Sequence, residues 1–181
     1  MLKRVAVFVA LTLFISMASL TDAHAEARGP KIFGLQVGMP WEDAVQIVKQ
    51  YANKNGLDIE VVNNNLSIAV GKLENKIIEN KVVDKYIDSY IIISKTNLSG
   101  ELFDFLAQIV LYPKAFNIKQ MDKEKLEIIC DRYGIEIDKM KNTRMGSMEY
   151  SNAREGYKVG IGFVGQIFLE ATEKASDMIL E

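Results

Sequence analysis

Two stretches of helical periodicity govern what this chain can fold into, because each stops at a glycine and passes straight into short apolar runs. In "GMPWEDAVQIVKQYANKNG", Trp41, Ala44, Val45, Val48, Tyr51 and Ala52 recur at steps of three and four, one apolar stripe along a helix. Pro40 suits the first turn, where a missing N–H costs nothing. Glu42 and Asp43 place negative charge at the positive end of the helix dipole, and Gly56 suits a left-handed stop. "MDKEKLEIICDRYG" repeats the plan, with Asp122 as cap, an apolar face of Leu126, Ile129, Cys130 and Tyr133, and Gly134 as the stop.

Between and after the helices the pattern turns extended. "LDIEVV" alternates Leu57, Ile59 and Val61 with Asp58 and Glu60, as a half-buried strand does. "NNN" (63–65) reads as a turn, and "LSIAV" and "YIDSYIIIS" as strands. Residues 72–86 fit neither period. "LFDFLAQIVLY" reads as a buried strand, with a helix as the competing reading. Residues 26–31 read as a polar lead-in. After the second helix, "IEID" begins an extended segment, "MGSMEYS", "YKVGIGF" and "QIFLEA" read as three strands, and "TEKASDMILE" as a short closing helix. "GLDIE" (56–60) and "GIEID" (134–138) echo each other, each leading from a helix into strands. The expected class is α+β: two amphipathic helices on one face of a curved, mainly antiparallel sheet. The strands lie too close in sequence for many parallel crossovers. One domain over 26–181 is expected, and the echo leaves open two pseudo-repeats, 32–112 and 113–175.

The amino terminus, "MLKRVAVFVALTLFISMASLTDAHA", has a basic head (Lys3, Arg4), an apolar middle, and Ala23 and Ala25 as small residues before Glu26. That is the pattern of a secretory signal peptide cut between Ala25 and Glu26. The apolar run is shorter than the ~20 residues of a spanning helix, so no stable membrane insertion is expected after cleavage. His24, the only histidine in the chain, would leave with the leader. The expected location is periplasmic or secreted.

That loss narrows the chemistry. Serine–histidine and cysteine–histidine catalysis need an imidazole. A zinc site of the usual type cannot be assembled without histidine and with Cys130 as the single cysteine. The net charge of −2 is spread evenly along the chain, so no nucleic-acid partner is expected. "GIGFVG" matches G-x-G-x-x-G at Gly160, Gly162 and Gly165. It is followed by strand-like sequence instead of a helix and a distant acid, so it reads as a strand whose glycines admit a neighbour. Cys130 reads as a small buried hydrophobe. Carboxylate pairs that could do acid–base work without histidine are Glu42–Asp43, Asp58–Glu60 and Glu136–Asp138, the last two placed on water-facing sides of strands. Asn65 and Asn97 each begin an Asn-x-Ser triplet and read as turn residues. Trp41 either anchors a partner or packs back onto Phe33 or Leu35.

"FGLQVGMPWEDAVQIV" resembles the opening of a bacterial envelope superfamily, the β-lactamase-inhibitor-protein-like domains and the small outer-membrane assembly lipoproteins. The matching residues are Gly38, Met39, Pro40, Glu42, Asp43 and Ala44. The resemblance implies binding and scaffold proteins with no catalytic residues. The chain departs from the lipoproteins in lacking a cysteine after its leader and in carrying Pro40 where they carry a serine or threonine cap.

The expected function is a soluble exported binding or scaffold protein without catalytic activity. Its partner would be an envelope protein or a small ligand, it needs no cofactor or metal, and Trp41, Glu42 and Asp43 are the candidate contact residues. The alternative is a histidine-free hydrolase using a carboxylate pair.

Overall fold

The first helix, α1 (Trp41–Asn55), forms where its stripe requires it, burying Trp41, Ala44, Val48 and Ala52. The computed structural model describes residues 27–78, 81–97, 99–143, 147–152 and 154–172, with backbone alone over 76–85. The expected leader 1–25, His24, the Ala25–Glu26 junction and all of the expected closing helix except the non-helical Thr172 lie outside the described residues. Gly56 ends α1 at φ 62, in the left-handed region. Pro40 stands at the cap, one place before the first turn, and the Ala44 amide donates to its carbonyl at 3.1 Å.

The supposed polar lead-in is instead a strand. Strands β1 (Arg28–Ile32) and β2 (Leu35–Val37) form an antiparallel hairpin. Its turn holds Phe33 and Gly34 at φ 53 and 89, the left-handed geometry that matches strand twist in tight hairpins. The Gln36 side chain closes it by donating to the Gly29 carbonyl at 2.6 Å.

After α1 comes β3 (Asp58–Val62), which corrects a second expectation. This strand is exposed along its first four residues instead of half-buried, because it is an edge strand with a neighbour on one side only. Asn63, Asn64 and Asn65 turn the chain with φ of 53, 53 and 69, a region asparagine tolerates better than most residues.

Strands β4 (Ser67–Ile78) and β5 (Lys81–Ser94) resolve the ambiguous 72–86 as one long hairpin. Strands flank its base: β3 pairs Ser67–Gly71, and Ile91–Ser94 of β5 pairs with β6 (Gln108–Leu111). Beyond that, the ribbon runs on for roughly 20 Å at ~3.3 Å per residue. Lys72 to Asn75 and Tyr86 are exposed, so no buried face imposes an alternation on them. The register shifts where the ribbon leaves the sheet, Val70 pairing with Ile91 but Gly71 with Ser89. A Cβ at Gly71 would overlap the Asp88 carbonyl, so only glycine fits this β-bulge.

The stretch 102–112 is neither wholly strand nor helix. Only Gln108–Leu111 is strand; before it the chain forms isolated bridges at Leu102 and Phe105. Phe103, Phe105, Leu106 and Ala107 fill the core from a loop, the two phenylalanine rings 5.0 Å apart, while Leu102 stays exposed.

A 3-10 turn (Pro113–Phe116) leads to α2 (Lys123–Tyr133). The Asp122 carboxylate accepts from the Lys125 amide at 2.9 Å, and Gly134 stops the helix at φ 67. The expected extended segment "IEID" is a 3-10 turn over Ile137–Lys139, because both Ile135 and Met140 are buried and the chain must fold back between them. Then come β7 (Lys141–Asn142), β8 (Met148–Asn152), β9 (Tyr157–Ile161) and β10 (Ile167–Ala171).

Among the described residues eight strands form one sheet in the order β3-β4-β5-β6-β10-β9-β8-β7, and every pairing is antiparallel. The class is α+β. Four sheet strands follow each helix in chain order, and the two sets meet at β6 and β10. One core cluster joins Ile32, Leu35, Val48, Val70, Ile93, Ile109, Leu169 and Cys130. Phe33 ties its rim, its ring centroid lying 5.3 Å from Tyr51 of α1, 5.2 Å from Phe116 and 6.0 Å from Tyr133 of α2. Among the described residues no helix is long and apolar enough to cross a membrane.

Candidate functional site

Side chains alternate across a sheet, so the core residues of the central strands leave a second face carrying their neighbours. Strand register arranges that face in rows. Ala69, Ile92, Val110, Phe168, Gly160 and Glu149 stand opposite one another across six strands. One step along lies a second row: Ser67, Ser94, Gln108, Glu170, Lys158 and Ser151. Ala69 and Phe168 are buried at 3% and 8% exposure yet stand outside the core cluster, so this face is a separate layer.

The second row is polar from end to end. Ser67 Oγ donates to Ser94 Oγ at 2.9 Å, and Ser94 Oγ shares a hydrogen bond with Thr96 at 2.8 Å. At its other end Lys158 Nζ lies 2.5 Å from Glu170 and 3.5 Å from Glu149, and 5.8 Å over the Phe168 ring. Glu170 is only 5% exposed, rare for a carboxylate unless paired. Burial acts to lower the Lys158 pKa, but the Glu170 and Glu149 carboxylates outweigh it and hold the ammonium above its ordinary value.

Between the hydroxyls and the ion pairs sits Gln108, whose Nε2 is buried and has no hydrogen-bond partner among the described residues. Thr172 Oγ1, just past β10, shares that condition. A buried donor without an acceptor costs stability, which makes this nitrogen the unsatisfied member of the polar row. Phe168 packs over Gly160, where a Cβ would run into its ring. A cleft of about 700 Å³ adjoins the lysine end, between Lys139, Lys141 and Thr143 on one side and Glu149, Ser151 and Lys158 on the other. That volume lies in the usual range for small-ligand sites.

The residues singled out from sequence lie elsewhere. Trp41 is 9% exposed within the core cluster, with Lys95 Nζ 5.6 Å from its ring centroid, while Glu42 and Asp43 are exposed on the first turn of α1. Asp58 and Glu60 are exposed on β3, the Asp58 carboxylate accepting from the Leu73 amide at 3.0 Å. Glu136 and Asp138 are exposed, Glu136 accepting from Lys139 at 2.7 Å. "GIGFVG" is the β9–β10 hairpin, with Gly165 at φ 75 against the Met121 side chain. Cys130 is fully buried and burial pushes its thiol up to about 11. Asn97 is 8% exposed, its amide donating to Glu101 at 2.6 Å.

The polar row went unread because its members come from six strands. Two local signals mark it: Gln108 and Glu170 are each a lone polar residue inside an apolar run, "FLAQIVLY" and "IFLEA". Compared with known protein families, curated proteins and solved structures, the chain matches none.

Proposed function

We propose that this is an exported binding or scaffold protein without catalytic activity, released from its leader between Ala25 and Glu26. It holds an envelope protein or a small ligand against the second face of its sheet, not at Trp41, Glu42 and Asp43. The observation that carries this reading is the buried, unpartnered Gln108 amide set in a row with Glu170 and Lys158. The tryptophan is already occupied by the core, so only the two acids of the helix start remain for contact. The exported location rests on the leader pattern of residues 1–25. The resemblance to β-lactamase-inhibitor-protein-like envelope domains supports the same role. So does a reading of the fold as two helix–meander repeats, 32–112 and 113–175, with both helices on one face. The strand order and the Phe33 ring, which touches both helices, favour it.

The test separates stability from binding. Gln108→Leu removes a buried amide nitrogen with no partner among the described residues, so folding stability is unchanged or rises. The mature chain is immobilised and its envelope partner captured and identified. Gln108→Leu and Lys158→Glu, each shown by its melt to be folded at the assay temperature, are then compared with a control, Glu155→Ala, for binding to that partner. Loss with the first two and not the third supports the reading. Equal binding by all three, or specific turnover of a substrate with no stable partner, overturns it.

A further inference from the structure

The two outer edges of the sheet are built differently. At one edge β7 has two residues, Lys141 and Asn142. A strand that short, carrying a lysine, blunts pairing with another chain. At the other edge β3 is five residues long, in unbroken register with β4 from Asp58–Gly71 to Val62–Ser67. It holds no proline, no lysine and no bulge, and it is exposed from Asp58 to Val61. At alternate residues its outward amides and carbonyls have no strand beside them among the described residues.

Its side chains define what would fit. Ile59 and Val61 lie opposite the core residues Val70 and Ile68, yet remain 38% and 55% exposed. They form an apolar shelf on the helix side. Asp58 and Glu60 lie on the other side, opposite Gly71 and Ala69. A strand laid along β3 places its own alternate residues beside each set. A second copy pairing antiparallel about the middle of β3 sets Glu60 against Glu60, and like charges directly opposite disfavour that. A strand with lysine or arginine at alternate positions and apolar residues between them satisfies both faces.

We propose that the outer edge of β3 is a strand-addition site for an extended peptide segment in which basic and apolar residues alternate. This site is separate from the polar row, and its test does not depend on that row. The probes are capped peptides: Lys-Val-Lys-Val-Lys, its acidic counterpart Glu-Val-Glu-Val-Glu, and the basic peptide with its valine amides N-methylated. Binding to the mature chain is measured by titration, and its position by amide exchange over 58–62. The basic peptide slows exchange in β3, while the acidic and N-methylated ones do not. Glu60→Lys, on an exposed position that leaves the ladder intact, weakens the basic peptide by roughly 3- to 10-fold and admits the acidic one. The proposal is overturned if the basic peptide does not bind, or protects amides elsewhere. It is equally overturned if N-methylation or Glu60→Lys leaves binding unchanged, or if the chain dimerises through β3 instead.

Discussion

Replacing Phe33 by alanine tests how the fold is closed. Phe33 lies in the β1–β2 turn with its ring 5.3 Å from Tyr51, 5.2 Å from Phe116 and 6.0 Å from Tyr133. It therefore joins the amino-terminal hairpin to both helices and the 3-10 turn between them. Truncating a fully buried phenylalanine costs about 3–5 kcal/mol. Phe33 is only partly buried, which brings the burial share to about 2 kcal/mol. Each lost aromatic contact adds up to roughly 0.5–1.5 kcal/mol in the best geometry, and the tilted rings here give less. The expected loss is about 2–3 kcal/mol, or roughly 5–10 °C in Tm for a domain of this size. Urea unfolding followed by near-UV circular dichroism reads it, with an unchanged denaturant slope showing that the same structure unfolds. A double-mutant cycle with Tyr51→Leu should return a coupling of about 0.5–1.5 kcal/mol. A loss under about 0.5 kcal/mol, the size of an ordinary surface substitution, would show that the hairpin does not hold the helices.

Further expectations concern single features. Gly71→Ala forces a methyl into the Asp88 carbonyl, so the ribbon must shift off the sheet; the expected cost is about 1–3 kcal/mol, with faster amide exchange over 72–90, and unchanged exchange there would contradict it. Asp122→Ala removes the cap of α2 and lowers Tm. The Lys125 side chain and amide hold the Asp122 pKa below its ordinary 3.8, so the cap's contribution is complete above that value and is lost as pH falls through the lower folded value. The melting difference from wild type should therefore persist to about pH 4 and vanish in stronger acid. Cys130, buried and with its thiol raised to about 11, should resist alkylation at pH ~8 in the native protein and react fully in urea; rapid native labelling would contradict its placement.

Local rules made the helices legible. The stripe from Trp41 to Ala52, the Asp122 cap and the glycines at 56 and 134 each act within a few residues, and each appears where the sequence puts it. The last three strands were legible for the same reason, with turn residues at "NAREG" and Gly165 between them. What failed depended on distant neighbours. Arg28–Ile32 holds a glycine and a proline and looks unstructured, but β2 and the Phe33–Gly34 turn make it a strand. The alternation of "LDIEVV" is real, yet it cannot say that the strand is an edge with its apolar side half in water. The apolar run at 102–107 supplies core side chains from a loop, a use that composition does not distinguish from a strand. The polar row is the extreme case: Ser67, Gln108, Glu170 and Lys158 become neighbours only when six strands take their register.

Amide exchange on the mature chain, with and without its captured envelope partner, decides whether the second face of the sheet holds that partner. Exchange should slow in β6, β9 and β10 around Gln108, Lys158 and Glu170, and that footprint should be lost in Gln108→Leu at unchanged stability. A footprint confined to the start of α1 at Trp41, Glu42 and Asp43, or one that survives Gln108→Leu and Lys158→Glu, would contradict that placement.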